Sequence, residues 1–335
     1  MSIRAGINTV RDQWDYVYSE QTQSKLAEVL EFDPARIPQR GEPDEYKASL
    51  EGARVILSTW GAHPLTPAIL DLCPDLELVV YAAGSVKGFL TPEFIHRGIP
   101  VCSAVHLNAQ PVAEFTLGMI LMALKQVFAR NEELHRRGPD AWHKERADAP
   151  GGYYHSRVGL LGYGRITALL LPLLANFELD VYLNDPYLSD DEVRARGVQP
   201  ASLEEIMASC EVVSLHHANT PANRNLINAA NLGLLRPGAH FINTSRGQLV
   251  NEFDLVDRLR TGDITAYLDV TYPEPPEAGH PFYSLPNCIL TPHVAGSLGR
   301  EVHRMGDYAL REVENWLAGR PLENRIDLET VFERG

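Results

Sequence analysis

The 335-residue sequence has few cysteines, and they show no pairing pattern. They are far apart, with no C-x-x-C and no metal-type spacing, and each stands beside apolar residues: Cys73, Cys102, Cys210 and Cys288. Such cysteines are typical of free thiols buried in a core and kept in a reducing compartment. We therefore expect a cytoplasmic protein without disulfides.

Positive charge and long apolar runs are also scarce. The chain has 30 Lys and Arg against 44 Asp and Glu, a formal net charge of −14 at pH 7. Nucleic acids and anionic membranes require basic surfaces, so neither is expected as a partner, whereas a small anionic substrate needs only a local positive site. The N-terminus MSIRAGINTV has no apolar run after Arg4, so no signal peptide is expected. The apolar segment 115–124 is too short to span a bilayer.

The pattern of elements predicts an α/β protein of two domains. A chain of 335 residues is long for one core, and short β-branched runs alternate with amphipathic stretches throughout. That alternation is typical of parallel sheets with helical crossovers. Strands are predicted at residues 53–59, 76–83, 99–104, 157–162, 180–185, 211–216, 239–244, 264–270 and 288–293.

Two helices stand out by length. One is predicted over residues 110–137, with Pro111 at its start, where proline is tolerated. Its middle is apolar nearly all round and needs a large surface to cover it, a second subunit being one candidate. A polar loop is expected at 138–156. A final helix is predicted over 297–317, with Gly319 close behind it as a stop signal.

The segment VGLLGYGRIT, residues 158–167, predicts a dinucleotide-binding turn with one departure. Gly162 makes the turn and Gly164 lets the backbone approach a pyrophosphate at the helix N-terminus, but Thr167 stands where G-x-G-x-x-G has its third glycine. We expect Thr167 to cost packing fit without abolishing binding. Asp185, 23 positions after Gly162, is the expected ribose partner and would repel a 2′-phosphate, which favours NAD over NADP. The alternative is an ordinary α/β turn and a surface aspartate.

Three downstream segments each place one polar group after a predicted strand: INTSRGQLVNE (242–252), LDVTYPEPP (268–276) and LTPHVAGS (290–297). Singly, Arg246, Glu274 and His293 each fit a structural or solvated role. Together they lie where open parallel sheets bind ligands. A planar guanidinium suits a carboxylate, and an imidazole beside a carboxylate suits proton transfer to a carbonyl oxygen. This chemistry fits the reduction of a 2-oxoacid by hydride transfer.

These segments, with the glycine turn and PVAEFTLG (111–118), resemble the D-isomer-specific 2-hydroxyacid dehydrogenase family over nearly the whole chain. The resemblance implies a Rossmann NAD-binding domain of residues 106–296 inserted into a flavodoxin-like substrate domain of residues 1–105 and 297–335. It implies a homodimer through the helix of residues 110–137. The partner it implies is a small anionic 2-oxoacid or D-2-hydroxyacid, whose identity and direction of turnover stay open.

The resemblance also implies roles for single residues. Arg246 binds the substrate carboxylate and carbonyl oxygen, Glu274 pairs with His293, and His293 donates and accepts the proton. In AAGSVKG (82–88), backbone N–H groups hold the carboxylate, which gives the substrate set Gly84, Ser85, Val86 and Asn108. The cofactor set is Gly162, Tyr163, Gly164, Arg165, Ile166, Asp185, His216, Thr220, Thr244, Ser245 and Asp269, with Asp269 orienting the nicotinamide carboxamide. Lys87 is a candidate for a second acidic group of the substrate, a solvated lysine being the alternative.

Two other interpretations fit parts of the sequence. The tandem His216–His217 resembles a metal pair, but adjacent strand residues point to opposite faces, so no metal site is expected. The rival function is a dinucleotide-sensing binding protein, because the family resemblance extends to transcriptional co-repressors that keep this fold. Long tails would favour that function, and this sequence shows none.

Overall fold

The structure is a computed structural model that describes residues 3–142 and 151–331. The chain forms two compact units. Unit 1 comprises the chain up to Ala109 together with the chain from Ser297 onward, and unit 2 runs from Gln110 to Gly296. Of the loop predicted at 138–156, residues 143–150 lie outside the described residues; Gly138–Ala141 form a 3-10 turn.

The elements alternate between strand and helix along most of the chain. The strands are β1 (Ala5–Asn8), β2 (Val55–Ser58), β3 (Leu78–Tyr81), β4 (Val101–Ser103), β5 (Arg157–Leu161), β6 (Asp180–Asn184), β7 (Gln199–Pro200), β8 (Val212–Leu215), β9 (His240–Asn243), β10 (Thr265–Leu268) and β11 (Cys288–Leu290). The helices are α1 (Arg11–Val17), α2 (Glu20–Val29), α3 (Pro43–Leu50), α4 (Pro67–Leu70), α5 (Pro92–His96), α6 (Val105–Leu124), α7 (Val127–Arg137), α8 (Arg165–Leu174), α9 (Asp190–Arg194), α10 (Leu203–Ser209), α11 (Ala229–Leu232), α12 (Glu252–Arg260) and α13 (His303–Leu317).

Every strand predicted from the sequence is confirmed, since each predicted range contains an observed strand. Strands β1 and β7 were missed. The β1 segment AGIN is only four residues long and includes a glycine, so it carries no clear apolar pattern. The β7 segment is two residues with Pro200, and it pairs only with β6 at the edge of its sheet, where proline is tolerated.

Unit 1 is built on a four-stranded parallel sheet in the order β1-β2-β3-β4. A parallel bridge between Arg4 and Glu31 adds one residue of backbone on the free side of β1. Counted as a reduced second strand, it gives the flavodoxin-like order 2-1-3-4-5. All four strands are buried along their length, as expected for a parallel sheet covered on both faces.

The C-terminal helix covers one face of this sheet. Met305, Tyr308 and Val313 of the helix pack there into a core with Trp14 and with Val302 of the preceding turn. A Cβ on Gly306 would lie 2.5 Å from the Val17 carbonyl oxygen, so α13 approaches α1 more closely than any side chain allows. Helix α13 is six residues shorter than the helix predicted over 297–317, because residues 299–302 form a 3-10 turn before it begins.

Unit 2 is built on a seven-stranded parallel sheet in the order β11-β10-β9-β8-β5-β6-β7. Counted from β5, this is the Rossmann order 3-2-1-4-5-6 with a seventh strand added beyond the sixth. The order reverses between β5 and β8, which pair directly. In open α/β sheets a ligand crevice lies at the carboxyl ends of the strands at such a reversal.

The single helix predicted over 110–137 is wrong in two respects. Pro111 lies inside α6, which begins six residues earlier, and the helix is interrupted before α7. Gln126 takes a left-handed conformation with φ 54°, and the Leu124 carbonyl accepts the Gly152 N–H in place of a helical donor. Neither glycine nor proline stands between Leu124 and Val127, so the sequence carries no stop signal at the break.

By length and composition alone, helix α6 is long and apolar enough to cross a membrane. Of an 18-residue apolar stretch within it, 44% is buried inside the described chain. The expectation that the apolar segment 115–124 is too short to span a bilayer is therefore wrong as to length, because the segment is part of the 20-residue helix Val105–Leu124. The four cysteines are free and buried, as predicted.

Candidate active site

Most of the residues predicted to bind cofactor or substrate in unit 2 follow directly on its parallel strands. Gly162 follows β5, Asp185 follows β6, and His216 follows β8. Thr244 follows β9 and Asp269 follows β10, while His293 stands three residues after β11. Because the carboxyl ends of parallel strands share one edge of a sheet, these residues lie along one edge of unit 2.

At this edge His293 and Glu274 form a close pair. The Nδ1 of His293 lies 2.5 Å from the Oε1 of Glu274, and both side chains are about two-fifths exposed, 45% and 42%. With Glu274 ionised, Nδ1 carries a proton and donates it to the carboxylate. The second ring nitrogen, Nε2, is then left to exchange a proton with a bound molecule.

His293 is held in an unusual backbone conformation. Its φ of 54° lies in the left-handed region, which is uncommon for residues other than glycine. Its N–H is donated to the Asp269 carbonyl at 3.0 Å. The buried Asp269 carboxylate accepts the N–H of Val294 and of Ala295, each at 2.9 Å, and the Thr291 hydroxyl at 2.6 Å. Asp269 therefore fixes the segment that carries His293, a role the sequence did not reveal.

Arg246 stands on a turn that Asn243 organises from the end of β9. The Asn243 side chain accepts the Ser245 N–H at 3.0 Å and donates to the Arg246 carbonyl at 3.1 Å. The exposed Arg246 guanidinium donates from one terminal nitrogen to the Ser245 carbonyl at 2.6 Å. Its other N–H groups have no acceptor among the described residues, so they can bind an anion.

The glycine turn after β5 fits a dinucleotide. A Cβ on Gly162, whose φ is 100°, would lie 2.7 Å from the His217 backbone nitrogen, so only glycine brings the turn this close to the end of β8. Gly164 is exposed, has open space at its Cβ position, and caps the N-terminus of α8. Arg165 is exposed in the first turn, followed by the half-buried Ile166. An open helix N-terminus at a strand reversal is a general site for a pyrophosphate.

Thr167 has a function that its position in the motif did not suggest. Its hydroxyl donates to the Gly162 carbonyl at 2.7 Å, and the side chain is fully buried. The hydroxyl thus holds the turn that it was expected only to disturb. Threonine back-bonding to a carbonyl near a helix start is a known alternative to backbone pairing.

Asp185 faces the same turn. Its Oδ2 accepts the Tyr163 N–H at 2.7 Å, and its Oδ1 accepts the Tyr187 N–H at 2.9 Å. The guanidinium of Arg196 lies 4.4 Å from the centre of the Tyr163 ring. The carboxylate is therefore fixed beside the glycine turn, where the ribose acid of a Rossmann domain is expected.

The remaining predicted cofactor residues have partners of their own. Thr244 Oγ1 lies 3.0 Å from Thr116 Oγ1, and the Ser245 hydroxyl donates to the Leu215 carbonyl at 2.7 Å. Thr220 precedes the 3-10 turn Pro221–Asn223. His216 Nε2 contacts Ser214 Oγ at 2.9 Å, while its buried Nδ1 has no partner among the described residues. Burial lowers the pKa of His216 to about 3, so the ring is neutral.

The predicted substrate residues Gly84, Ser85, Val86 and Asn108 belong to unit 1. The backbone N–H groups of residues 84–86 have no acceptor within the described chain, as an anion cradle requires. Asn108 accepts the Ser297 N–H at 3.0 Å, and its Nδ2 is 3.5 Å from the Cβ position of Gly84. Lys87 is half-buried, and burial lowers its pKa.

Comparisons with known proteins identify a family of relatives. The family model for the NAD-binding domain of D-isomer specific 2-hydroxyacid dehydrogenases matches residues 117–295, more than half of the chain. A D-3-phosphoglycerate dehydrogenase of Haemophilus influenzae is 35% identical over 269 residues, which cover 78% of this chain and 64% of that protein's length. A hydroxypyruvate reductase of Blautia hydrogenotrophica is 28% identical over 266 residues, 77% of this chain and 81% of its own.

A solved structure resembles the chain over nearly its whole length. The TT0316 protein of Thermus thermophilus is 27% identical and superimposes with a TM-score of 0.74 over 97% of this chain and 100% of its own. A Rossmann unit whose glycine turn has room for a pyrophosphate defines the class of dinucleotide-binding proteins. Within that class, the chain belongs to the D-isomer-specific 2-hydroxyacid dehydrogenase family. The binding-protein alternative is not favoured, because the named relatives are dehydrogenases and reductases.

Proposed function

We propose that the protein interconverts a small anionic 2-oxoacid and the corresponding D-2-hydroxyacid, with NAD as the redox partner. The observation that carries the proposal is the His293–Glu274 pair, 2.5 Å apart at the carboxyl edge of a Rossmann sheet. Such a pair supplies the proton that a carbonyl oxygen gains when its carbon is reduced.

In the reducing direction, His293 begins protonated on both ring nitrogens. Nδ1–H is donated to Glu274, so Nε2–H is the proton available to the substrate oxygen. Glu274 stabilises the imidazolium electrostatically and fixes the ring. In the oxidising direction, neutral Nε2 accepts the hydroxyl proton of the D-2-hydroxyacid. The pair therefore works as an acid in one direction and as a base in the other.

Arg246 is the carboxylate-binding residue that we propose for unit 2, and the N–H groups of residues 84–86 are the anion-binding donors that we propose for unit 1. The free guanidinium donors of Arg246 suit a carboxylate and the adjacent carbonyl oxygen, because both oxygens lie in one plane in a 2-oxoacid. Asp185, Gly162 and Gly164 would hold the dinucleotide, and Asp269 would orient its carboxamide. When bound, NAD(H) would supply or accept the hydride. The negative Asp185 disfavours a 2′-phosphate and hence NADP.

The direct test is a panel of 2-oxoacids followed by oxidation of NADH and of NADPH. We expect turnover of at least one oxoacid, with NADH preferred and the product in the D configuration. Glyoxylate, hydroxypyruvate, pyruvate and a bulky aromatic 2-oxoacid cover the open range of substrate size. Tight NADH binding without turnover of any of them would instead indicate a dinucleotide-sensing binding protein.

We also propose a cytoplasmic homodimer that pairs through residues 110–137, and no nucleic-acid or membrane partner. The support is that less than half of the apolar stretch within α6 is buried within its own chain, 44%. Four free cysteines and a net charge of −14 agree with that environment and that choice of partner. Light scattering after size exclusion should give twice the monomer mass of 37.3 kDa.

A further inference from the structure

The loop that carries Glu274 is only lightly attached to unit 2. Residues 272–275 are all exposed. Within the described chain, three hydrogen bonds from outside residues 272–276 reach their backbone. One comes from the adjacent Thr271, whose hydroxyl donates to the Pro273 carbonyl at 2.9 Å. The Tyr283 hydroxyl donates to the Pro276 carbonyl at 3.1 Å, and the Tyr272 N–H is donated to the Glu252 carboxylate at 2.7 Å. The position of Glu274 therefore depends strongly on few contacts.

Glu252 reaches this loop from the start of α12. It is the first residue of the helix, directly after Asn251, which caps the helix by accepting the Asp254 N–H at 3.3 Å. The capping function is thus already filled, and Glu252 directs its carboxylate outward to Tyr272. The side chain is half-buried, and burial raises its pKa to about 7 while the Tyr272 N–H opposes the rise.

A second contact joins the same two segments. A Cβ on Gly247 would lie 2.1 Å from the Thr271 carbonyl carbon and 2.5 Å from the Tyr272 nitrogen. The turn that carries Arg246 therefore packs directly on the peptide that precedes Tyr272. Segment 246–252 thus contacts the Glu274 loop at two points. Gly247 packs on the loop backbone, and Glu252 accepts the Tyr272 N–H.

We propose that Glu252 is a positioning residue for the reaction, acting through its bond to Tyr272 to hold Glu274 against His293. The inference rests on the proposed function, since it assumes that the His293–Glu274 pair transfers the proton. Glu252 does not itself touch the reacting atoms. Its loss leaves Glu274 present but free to move, and displacement of a catalytic group by about 1 Å is known to lower rates by up to about a hundredfold.

The test compares Glu252→Ala with Glu252→Gln in the full-length protein. We expect Glu252→Ala to lower kcat five- to fiftyfold with the KM for NADH unchanged, because the nucleotide turn is not involved. The Gln variant keeps an oxygen that accepts the Tyr272 N–H, so it should stay within about threefold of the wild-type kcat. Glu205→Ala is the matched control. Glu205 is also a first-turn glutamate in unit 2 that accepts a backbone N–H, that of Ser202 at 2.8 Å, but it lies on α10, outside the proposed site.

A double-mutant cycle separates positioning from general destabilisation. If Glu252 acts through Glu274, adding Glu252→Ala to Glu274→Gln costs little further activity, whereas a loss of folded protein costs the same in both backgrounds. Equal losses in the two backgrounds, a wild-type kcat for Glu252→Ala, or a Gln variant as slow as the Ala variant would each overturn the proposal. If Glu274→Gln itself retains wild-type turnover, the proposed function fails instead, so the two failures are distinguishable.

Discussion

At the scale of single residues, the unit 2 site consists of side chains whose orientation is set by their neighbours. Asn243 shapes the Arg246 turn, and Asp269 fixes the segment of His293 with three accepted hydrogen bonds. The left-handed φ of His293 is tolerated because these bonds determine the backbone there. Residues that bind nothing themselves thus decide where the reactive groups stand.

Replacing Arg246 by Lys tests whether its planar geometry matters beyond its charge. Lysine keeps the positive charge but cannot bind the carboxylate and carbonyl oxygens with two parallel donors. Losing one charge-assisted hydrogen bond costs about 1.5–3 kcal/mol, so kcat/KM for the 2-oxoacid should fall roughly ten- to a hundredfold. Steady-state kinetics check this, with the dissociation constant of NADH expected to be unchanged. A lysine variant with wild-type kcat/KM would remove Arg246 from substrate binding.

At this scale the sequence predicted residue types better than contacts. Arg246, Glu274 and His293 could be chosen because each follows a strand and carries the required chemistry. The roles of Asp269 and Glu252 depend on backbone N–H groups that are distant in sequence. Asp269 accepts that of Ala295, 26 positions away, and Glu252 accepts that of Tyr272, 20 positions away. Sequence spacing does not specify such contacts. The one available signal for Glu252 was a glutamate in the first turn of a helix after NTSRG.

At the scale of elements, the turn between β5 and α8 shows how a departure from a motif can be compensated. Gly162 is irreplaceable because its Cβ would strike the backbone after β8. Thr167, in place of the third glycine, donates its hydroxyl to the Gly162 carbonyl. The turn therefore keeps its shape by a side-chain hydrogen bond as well as by glycine.

We expect Thr167→Val to destabilise this turn. Valine preserves the shape but leaves the Gly162 carbonyl without its donor, which costs about 1–3 kcal/mol of unfolding free energy. NADH binding should weaken several-fold, as measured by fluorescence titration. Thr167→Ser retains the hydroxyl and should behave nearly as the wild type. If Val matches the wild type in both unfolding free energy and NADH affinity, the hydrogen bond has no role in the turn.

Elements were predictable where apolar pattern and length agreed. The nine strands inferred from the sequence all exist, because buried parallel strands are nearly continuous apolar runs. The interruption between α6 and α7 was not predictable, because it rests on Gln126 taking a left-handed conformation at a position with neither glycine nor proline. A helix boundary that depends on a single backbone dihedral angle cannot be read from the spacing of apolar residues.

At the scale of the whole molecule, two buried histidines lower the unfolding free energy as the pH falls. Burial lowers the pKa of His216 to about 3 and that of His240 to about 4. In the unfolded chain an imidazole takes up a proton near pH 6.5, so below that pH the unfolded state binds more protons than the folded one. The unfolding free energy therefore holds above pH 6.5 and falls toward pH 4, by at most about 1.4 kcal/mol per pH unit for each histidine.

Glu252 acts in the opposite sense, because its pKa is raised to about 7. Its contribution to the unfolding free energy is present at low pH and is lost as pH rises toward 7. Glu252 therefore partly offsets the pH dependence that the two histidines cause.

The variant His240→Asn tests this account by denaturant unfolding between pH 5 and 6.5. Its unfolding free energy should change less steeply with pH than that of the wild type, whatever its absolute stability. Identical slopes in the two proteins would show that His240 takes up a proton in the folded state.

The central claim is that His293 delivers the proton when a 2-oxoacid is reduced, and the pH profile of that reduction tests it most directly. With kcat/KM for the preferred 2-oxoacid and NADH measured from pH 5 to 10, the rate should fall as pH rises, because the reduction requires a protonated donor. The His293→Ala variant should be slower by about 10²–10⁴ at neutral pH and lack that descending limb. A wild-type profile that stays flat to pH 10, or an alanine variant with near-normal turnover, would contradict the account.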